Sequence, residues 1–315
     1  MLLVTARLKT GDVPGIVNRE KTHMAALRAP GFDFRDMLDL IERIRPGQHG
    51  STAQPSACTD AVILSKTHRK AAGGNKDNQR KWFRDGIWYK ADFLGYEGLA
   101  EYISSCLLGV SDIPSFIRYS LVCIQEADEQ ETNVFIGCMS HDFGTIITGD
   151  VIILQLPEKY NVWLNPTGTF ADDLQVFCEG VELVFGVNVE RNMRQMLCFD
   201  LIVGNEDRIL RNFGLQQTDT GFVFAPLFDH GLSLLADTKS PERVTSLSEI
   251  SYRPFDYSRF EGIRHLSGTP LTFDIARFDE LVENIPYYPR ETVNRALTVL
   301  RESLEETEGK LWIRA

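Results

Sequence analysis

Asp207, Asn212 and Asp229 are the residues of this chain whose types and spacing could do chemistry together. The first two lie in LIVGNEDRILRNFGL (201–215), where an apolar helical run gives way to acids, arginines and asparagines. The third follows FVFAPLF and precedes His230 and Gly231. Two carboxylates and an amide oxygen are hard donors, the kind Mg²⁺ takes when phosphate oxygens complete its shell. A carboxylate placed there can also accept the proton of an attacking hydroxyl. The plain alternative is that Asn205 and Asp207 cap a helix end and Asp229 fills a surface turn, as Asx residues often do.

The spacing favours chemistry. Asp207 and Asn212 form the D-x-x-x-x-N arrangement of a kinase catalytic loop, where the Asp takes the hydroxyl proton and the Asn holds a metal. About twenty residues further on, a strand delivers Asp229 where a second metal-binding Asp belongs. Gly231 lets the backbone turn sharply beside the ion.

Such residues need elements to position them. A chain of 315 residues suits one large domain or two lobes. Its formal net charge of -11 argues against a general nucleic-acid surface. It also argues mildly against docking on an anionic membrane. No apolar run approaches the ~20 residues that span a bilayer, and the start MLLVTARLKTGDVPG does not read as a secretory signal. The six cysteines (58, 106, 123, 138, 178, 198) show no CxxC pair and no zinc spacing. Most lie in apolar segments, where a reduced cysteine behaves as a small hydrophobe, and the expectation is a reducing compartment, the cytoplasm.

Residues 1–58 read as an extension of unassigned role, with an amphipathic helix at 32–44 and a Pro/Gly/Ser-rich linker after it. Residues 59–143 read as an antiparallel-sheet lobe. It opens on the strand AVILSK, and two aromatic-rich strands then flank Asp85-Gly86, a hairpin dipeptide. A helix over GYEGLAEYISSCLLGV and two more strands around an acidic loop complete it. Trp82 and Trp88 read as sheet residues. Residues 144–315 read as mostly helical, with helices over ADDLQVFCEGVELVFG and NVERNMRQMLCFDLIVG, then near 273–284 and 291–308. Asn188 is placed to cap the second of these. The fold class is α+β and bilobal: sheet lobe first, helical lobe second.

A kinase also needs a strand lysine on the α/β-phosphates, positioned by a helix carboxylate. Lys90 ends GIWYK, and Glu97 follows in the helix, with Glu101 a competing partner one turn on. The bland reading makes Lys90 a solvated strand end and Glu97 a first-turn acid favoured by the helix dipole. Gly73 and Gly74 in AAGGNKDNQRKW could turn backbone N–H groups toward an anion, with Lys76 and Lys81 in reserve. It is neither a Walker motif nor G-x-G-x-x-G, and a Gly-Gly is often only a turn. His230 reads as a locally bonded residue rather than a metal ligand.

The stretch LIVGNEDRILRNFGL…FAPLFDHGLSLL resembles the active-site region of the HipA family of bacterial serine/threonine kinases, with its G-N-x-D-R-H-x-x-N-F and L-x-P-x-Y-D patterns. That fold is similar to the phosphoinositide 3- and 4-kinases. The match is sharp only over 199–234, and Ile209 stands where the family carries His, a change expected to touch loop packing more than chemistry. The resemblance implies a bilobal protein-kinase-like fold and ATP- and Mg²⁺-dependent transfer to Ser or Thr of a protein substrate. It implies Asp207 as catalytic base, Asn212 and Asp229 as metal ligands, and Arg208 orienting the loop or binding a carboxylate. It also implies an antitoxin-like partner through which any DNA contact would be indirect, and self-phosphorylation near the phosphate loop, where Ser65 and Thr67 are the nearest hydroxyls. Two other classes stay open: a phosphoinositide or small-alcohol kinase, and a nucleotide-binding pseudokinase acting through a partner.

Overall fold

The structure is a computed structural model that describes residues 60–70, 79–127, 132–268 and 270–315. The extension 1–58 with its helix at 32–44, and the loop residues Gly73, Gly74 and Lys76, lie outside the described residues.

Strands β1 (Val62–Leu64), β2 (Arg69–Lys70), β3 (Lys81–Arg84) and β4 (Ile87–Ala91) are followed by helix α1 (Glu97–Leu108), then β5 (Ser120–Ala127) and β6 (Thr132–His141). The six strands form one sheet in the order β1-β5-β6-β4-β3-β2. Every neighbouring pair is antiparallel except β1 with β5. The β3–β4 hairpin turns at Asp85 and Gly86 with φ of 53° and 76°, the doubly positive geometry that Asp-Gly serves. That register sets Lys81 opposite Lys90, and Lys90 opposite Cys138 on the other side.

Helix α1 closes on this sheet through two glycines. A Cβ on Gly98 would lie 2.6 Å from the carbonyl carbon of Gly137 on β6, so only glycine admits this approach. The contact brings the first turns of α1 over the strand that carries Lys90. Trp82 is fully buried in the sheet, and Trp88 stacks at a tilt on Phe83 with centroids 4.9 Å apart, so both are sheet residues.

Next come β7 (Ile146–Thr148), α2 (Gly149–Ile153), α3 (Phe170–Phe185), α4 (Glu190–Val203), β8 (Gly214–Thr218) and β9 (Gly221–Phe224). They are followed by β10 (Ser251–Tyr252), β11 (Tyr257–Ser258), α5 (Arg259–Leu266), β12 (Leu271–Phe273), α6 (Ile275–Val282), α7 (Arg290–Thr307) and β13 (Trp312–Arg314). This is the α+β order the sequence predicts, an antiparallel-rich sheet and then mostly helix. Its core runs along α4, where every residue from Gln195 to Val203 is buried. Among the described residues no helix is long and apolar enough to cross a membrane.

Several elements depart from expectation. Asn188 lies one residue before the cap of α4, and its side chain accepts the Glu190 N–H at 3.2 Å. The strand expected over FVFAPLF stops at Phe224, before Pro226, which has no N–H to donate. It pairs instead in a three-stranded sheet β7-β8-β9. Cys106, Cys138, Cys178 and Cys198 are free thiols. Cys123 is disulfide-bonded, so the expectation of reduced cysteines does not extend to it.

Candidate active site

Helix α4 ends where the loop must begin. Gly204 takes a left-handed conformation at φ 67° and donates its N–H to Asp200 O, closing the helix. A Cβ there would sit 2.2 Å from Leu247 Cδ2, a side-chain end that can move aside, so it is the left-handed angle that calls for glycine. Asn205 comes next, fully buried. Its Nδ2 donates to Asp200 Oδ1 at 2.9 Å and its Oδ1 accepts the Asp207 N–H at 3.1 Å. The Asn205 amide therefore fixes where Asp207 leaves the helix end.

Asp207 is half-buried. Its carbonyl accepts the Ile209 N–H at 2.7 Å and Asn212 Nδ2 at 2.8 Å. Asn212 Nδ2 also lies 3.5 Å from Asp207 Oδ2. With its nitrogen committed to Asp207, Asn212 has the carbonyl oxygen of its amide left for a ligand, the atom a hard cation prefers.

Arg208 faces inward and is fully buried. Nε and Nη2 hold Asp200 Oδ2 and Oδ1 at 2.8 and 2.9 Å, a bidentate pair. Nη1 donates to the carbonyls of Asn212 at 2.5 Å and Phe228 at 2.7 Å. Nη2 lies 2.9 Å from His230 Nε2. A guanidinium can only donate, so Nε2 is the acceptor and the His230 proton sits on Nδ1. Burial, reinforced by the Arg208 charge, presses the His230 pKa well below its ordinary value. Arg208 thus acts through the two loops it ties.

The sheet supplies the rest. Lys90 Nζ donates to Glu101 Oε1 at 2.8 Å and to Asp229 Oδ1 at 2.7 Å, and lies 5.3 Å from the Tyr119 ring centroid. Burial works against the lysine charge, but Asp229 and Glu101 outweigh it and its pKa rises well above normal. Burial likewise raises the Asp229 carboxyl, and Lys90 with Lys81 overturns that, holding it far below the usual range. Glu101 Oε2 accepts the His230 N–H at 2.8 Å, so one carboxylate joins the lysine to the Asp229 segment.

Glu97 is not the partner of Lys90. Its carboxylate accepts the backbone N–H groups of Phe93, Leu94 and Gly95, the last at 2.8 Å. It lies at the first position of α1, and its carboxylate folds back to the amides of the turn that leads into the helix. Glu101, one turn on, is left to reach the strand.

The residues fit a divalent cation shared with phosphate. Asn212 and Asp229 offer hard oxygens from two loops that the same Arg208 nitrogen ties together at Asn212 O and Phe228 O. Among the described residues no three His, Cys, Asp or Glu side chains converge into a metal cage. Mg²⁺ held by one or two protein groups and substrate phosphates needs no such cage.

No family model and no curated protein sequence matches the chain. Among solved structures it is similar to the Helicobacter pylori proinflammatory kinase CtkA, at 13% identity and TM-score 0.47 over 78% of this chain and 94% of that one. It is also similar to a chain of the Shewanella oneidensis MR-1 toxin–antitoxin complex of HipA, HipB and operator DNA. There the identity is 14% and the TM-score 0.42, over 85% of this chain and 69% of that one.

Proposed function

We propose that this chain is an ATP- and Mg²⁺-dependent kinase that transfers the γ-phosphoryl group to a Ser or Thr hydroxyl of a protein. The observation that carries the reading is the convergence of Lys90, Glu101 and Asp229 from a strand, a helix and a loop. The Asp207–Asn212 loop is tied to the same segment through Arg208.

In this reading Lys90 exchanges its bond to Asp229 for phosphate oxygens, while Glu101 keeps its ammonium in place. Asp207 accepts the proton of the attacking hydroxyl as the bond from that oxygen to phosphorus forms and the bond to the ADP oxygen breaks. Asn212 and Asp229 would hold Mg²⁺, which supplies charge neutralisation along the phosphates. The chain's own contribution is positioning and fixed charge, in keeping with a loose transition state. Ser65 and Thr67, whose hydroxyls lie 2.5 Å apart with Ser65 Oγ 2.9 Å from His68 Nδ1, are the self-acceptors in this reading. The HipA structure also holds HipB and operator DNA. An antitoxin-like protein is the partner we propose for this chain, with DNA met only through it.

Incubation with γ-labelled ATP and Mg²⁺, followed by mass spectrometry of the chain and of a host lysate, tests the reading. Label on Ser or Thr of proteins is the expected result. Label on lipid or small alcohols alone would move the acceptor class, and ATP binding without any transfer would make the chain a pseudokinase.

A further inference from the structure

We infer that Asp200, Arg208 and His230 form a positioning device that holds Asp229 in a left-handed backbone conformation, ready to serve as a ligand. The ligand half of this inference rests on the kinase reading, whereas the backbone half does not. Asp229 has φ of 60° and is not glycine. Such a residue stays in that region when its surroundings over-determine it.

Here they do so on both sides. Phe228 O, just before Asp229, accepts Arg208 Nη1 at 2.7 Å. His230, just after it, accepts Arg208 Nη2 at 2.9 Å through its ring and donates its backbone N–H to Glu101 at 2.8 Å. Arg208 cannot swing, because Asp200 grips it at two points. The His230 ring is set edge-on to Phe199, with centroids 5.2 Å apart. One guanidinium therefore holds the carbonyl before Asp229, the His230 ring after it and, through Asn212 O, the loop of the other proposed ligand, while Glu101 holds the His230 N–H. A buried ion pair is a weak source of stability in itself. What this one does specify is the relative place of two loops.

The ring of His230 contributes an acceptor, which gives the test. His230→Phe keeps the edge contact with Phe199 and removes the acceptor, His230→Leu removes both, and His230→Gln restores an acceptor to Arg208. Two quantities are read on the full chain. The first is hydrogen exchange of the residue-230 amide in metal-free protein, and the second is ATP binding by calorimetry across Mg²⁺ concentrations. His230→Phe should speed that exchange and raise the half-saturating Mg²⁺ concentration, each by about tenfold, the scale of one lost hydrogen bond to a charged donor. His230→Gln should stay within about twofold of wild type. Wild-type values for both quantities in His230→Phe overturn the inference alone. Equal losses in the Phe and Gln variants assign the effect to packing and also overturn it. If His230→Phe does not fold, His230→Leu against His230→Gln gives the same comparison. A wild type that binds no ATP at any Mg²⁺ concentration overturns the kinase reading and the ligand half of this inference, and exchange then decides the backbone half.

Discussion

Lys90 and Asp229, 139 positions apart in the chain, meet in a 2.7 Å ion pair that joins strand β4 to the segment after β9. In the proposed reaction this pair opens: the ammonium turns to phosphate and the carboxylate to Mg²⁺. Each partner holds the other charged until then.

Replacing Lys90 by Met should lower phosphoryl transfer about a hundredfold, the usual scale for losing one preorganised donor. Lys81 is its cross-strand neighbour and adds to the field at Asp229, so Lys81→Met should cost less, about tenfold. Steady-state rates at saturating Mg²⁺ check the order. Equal losses would mean that the lysine is wrongly chosen.

The two glutamates of α1 should separate cleanly. Glu101→Gln loosens both Lys90 and the His230 N–H and should reduce transfer about ten- to a hundredfold. Glu97→Gln should leave transfer nearly intact and cost stability of about 1–3 kcal/mol, the scale of weakening hydrogen bonds to a buried charged group. Thermal unfolding beside a rate measurement distinguishes them.

Arg208→Met should destabilise the fold by about 3–5 kcal/mol, because it leaves the Asp200 carboxylate buried without its partner. The double change Asp200→Leu with Arg208→Met should recover much of that stability while leaving transfer lost. Denaturant unfolding of the single and double variants measures both.

Asp92 should contribute a loss of stability of about 1–3 kcal/mol as pH rises from about 4 to about 8. Burial and the neighbouring Glu97 push its carboxyl up to about 8, against the Gly98 N–H, the Tyr288 hydroxyl and Lys239. The folded state then binds a proton that the unfolded chain releases near pH 4, so at this site each pH step across that window favours unfolding. Below about pH 6.5 this contribution is opposed by His230, whose depressed pKa makes the unfolded chain the one that binds the proton there. Asp92→Asn keeps an acceptor for Gly98 and should remove this falling contribution of Asp92, read as the difference between the two profiles. A variant as pH-sensitive as the wild type would remove Asp92 as the cause.

How much of this was legible depends on where each signal lies. Asp207, Asn212 and Asp229 stand close enough in sequence for their spacing to carry meaning, and they end on loops tied by one arginine. The choice between Glu97 and Glu101 was not legible, since both lie on one face of α1. It is settled by three backbone amides that exist only once the chain turns at residues 93–95. Asp200 carries no motif in the sequence, and its role depends on Arg208 folding back across the helix end. The hairpin β8–β9 was hidden in QQTDTG, a polar run without alternation. Helix α5 did carry a signature that sequence reasoning passed over: Ser258 and Glu261 form a capping box. The loop at 71–78, where Gly73 and Gly74 lie, is outside the described residues.

The central claim is that Asp207 is the base for phosphoryl transfer, and Asp207→Asn tests it most directly. The amide is isosteric but cannot take the hydroxyl proton, so γ-labelled phosphate transfer should drop by about a thousandfold or more, within the range of general-base loss. Mg²⁺-dependent ATP binding, measured on the same preparation, should persist. Wild-type turnover in Asp207→Asn, with nucleotide binding intact, would contradict the account.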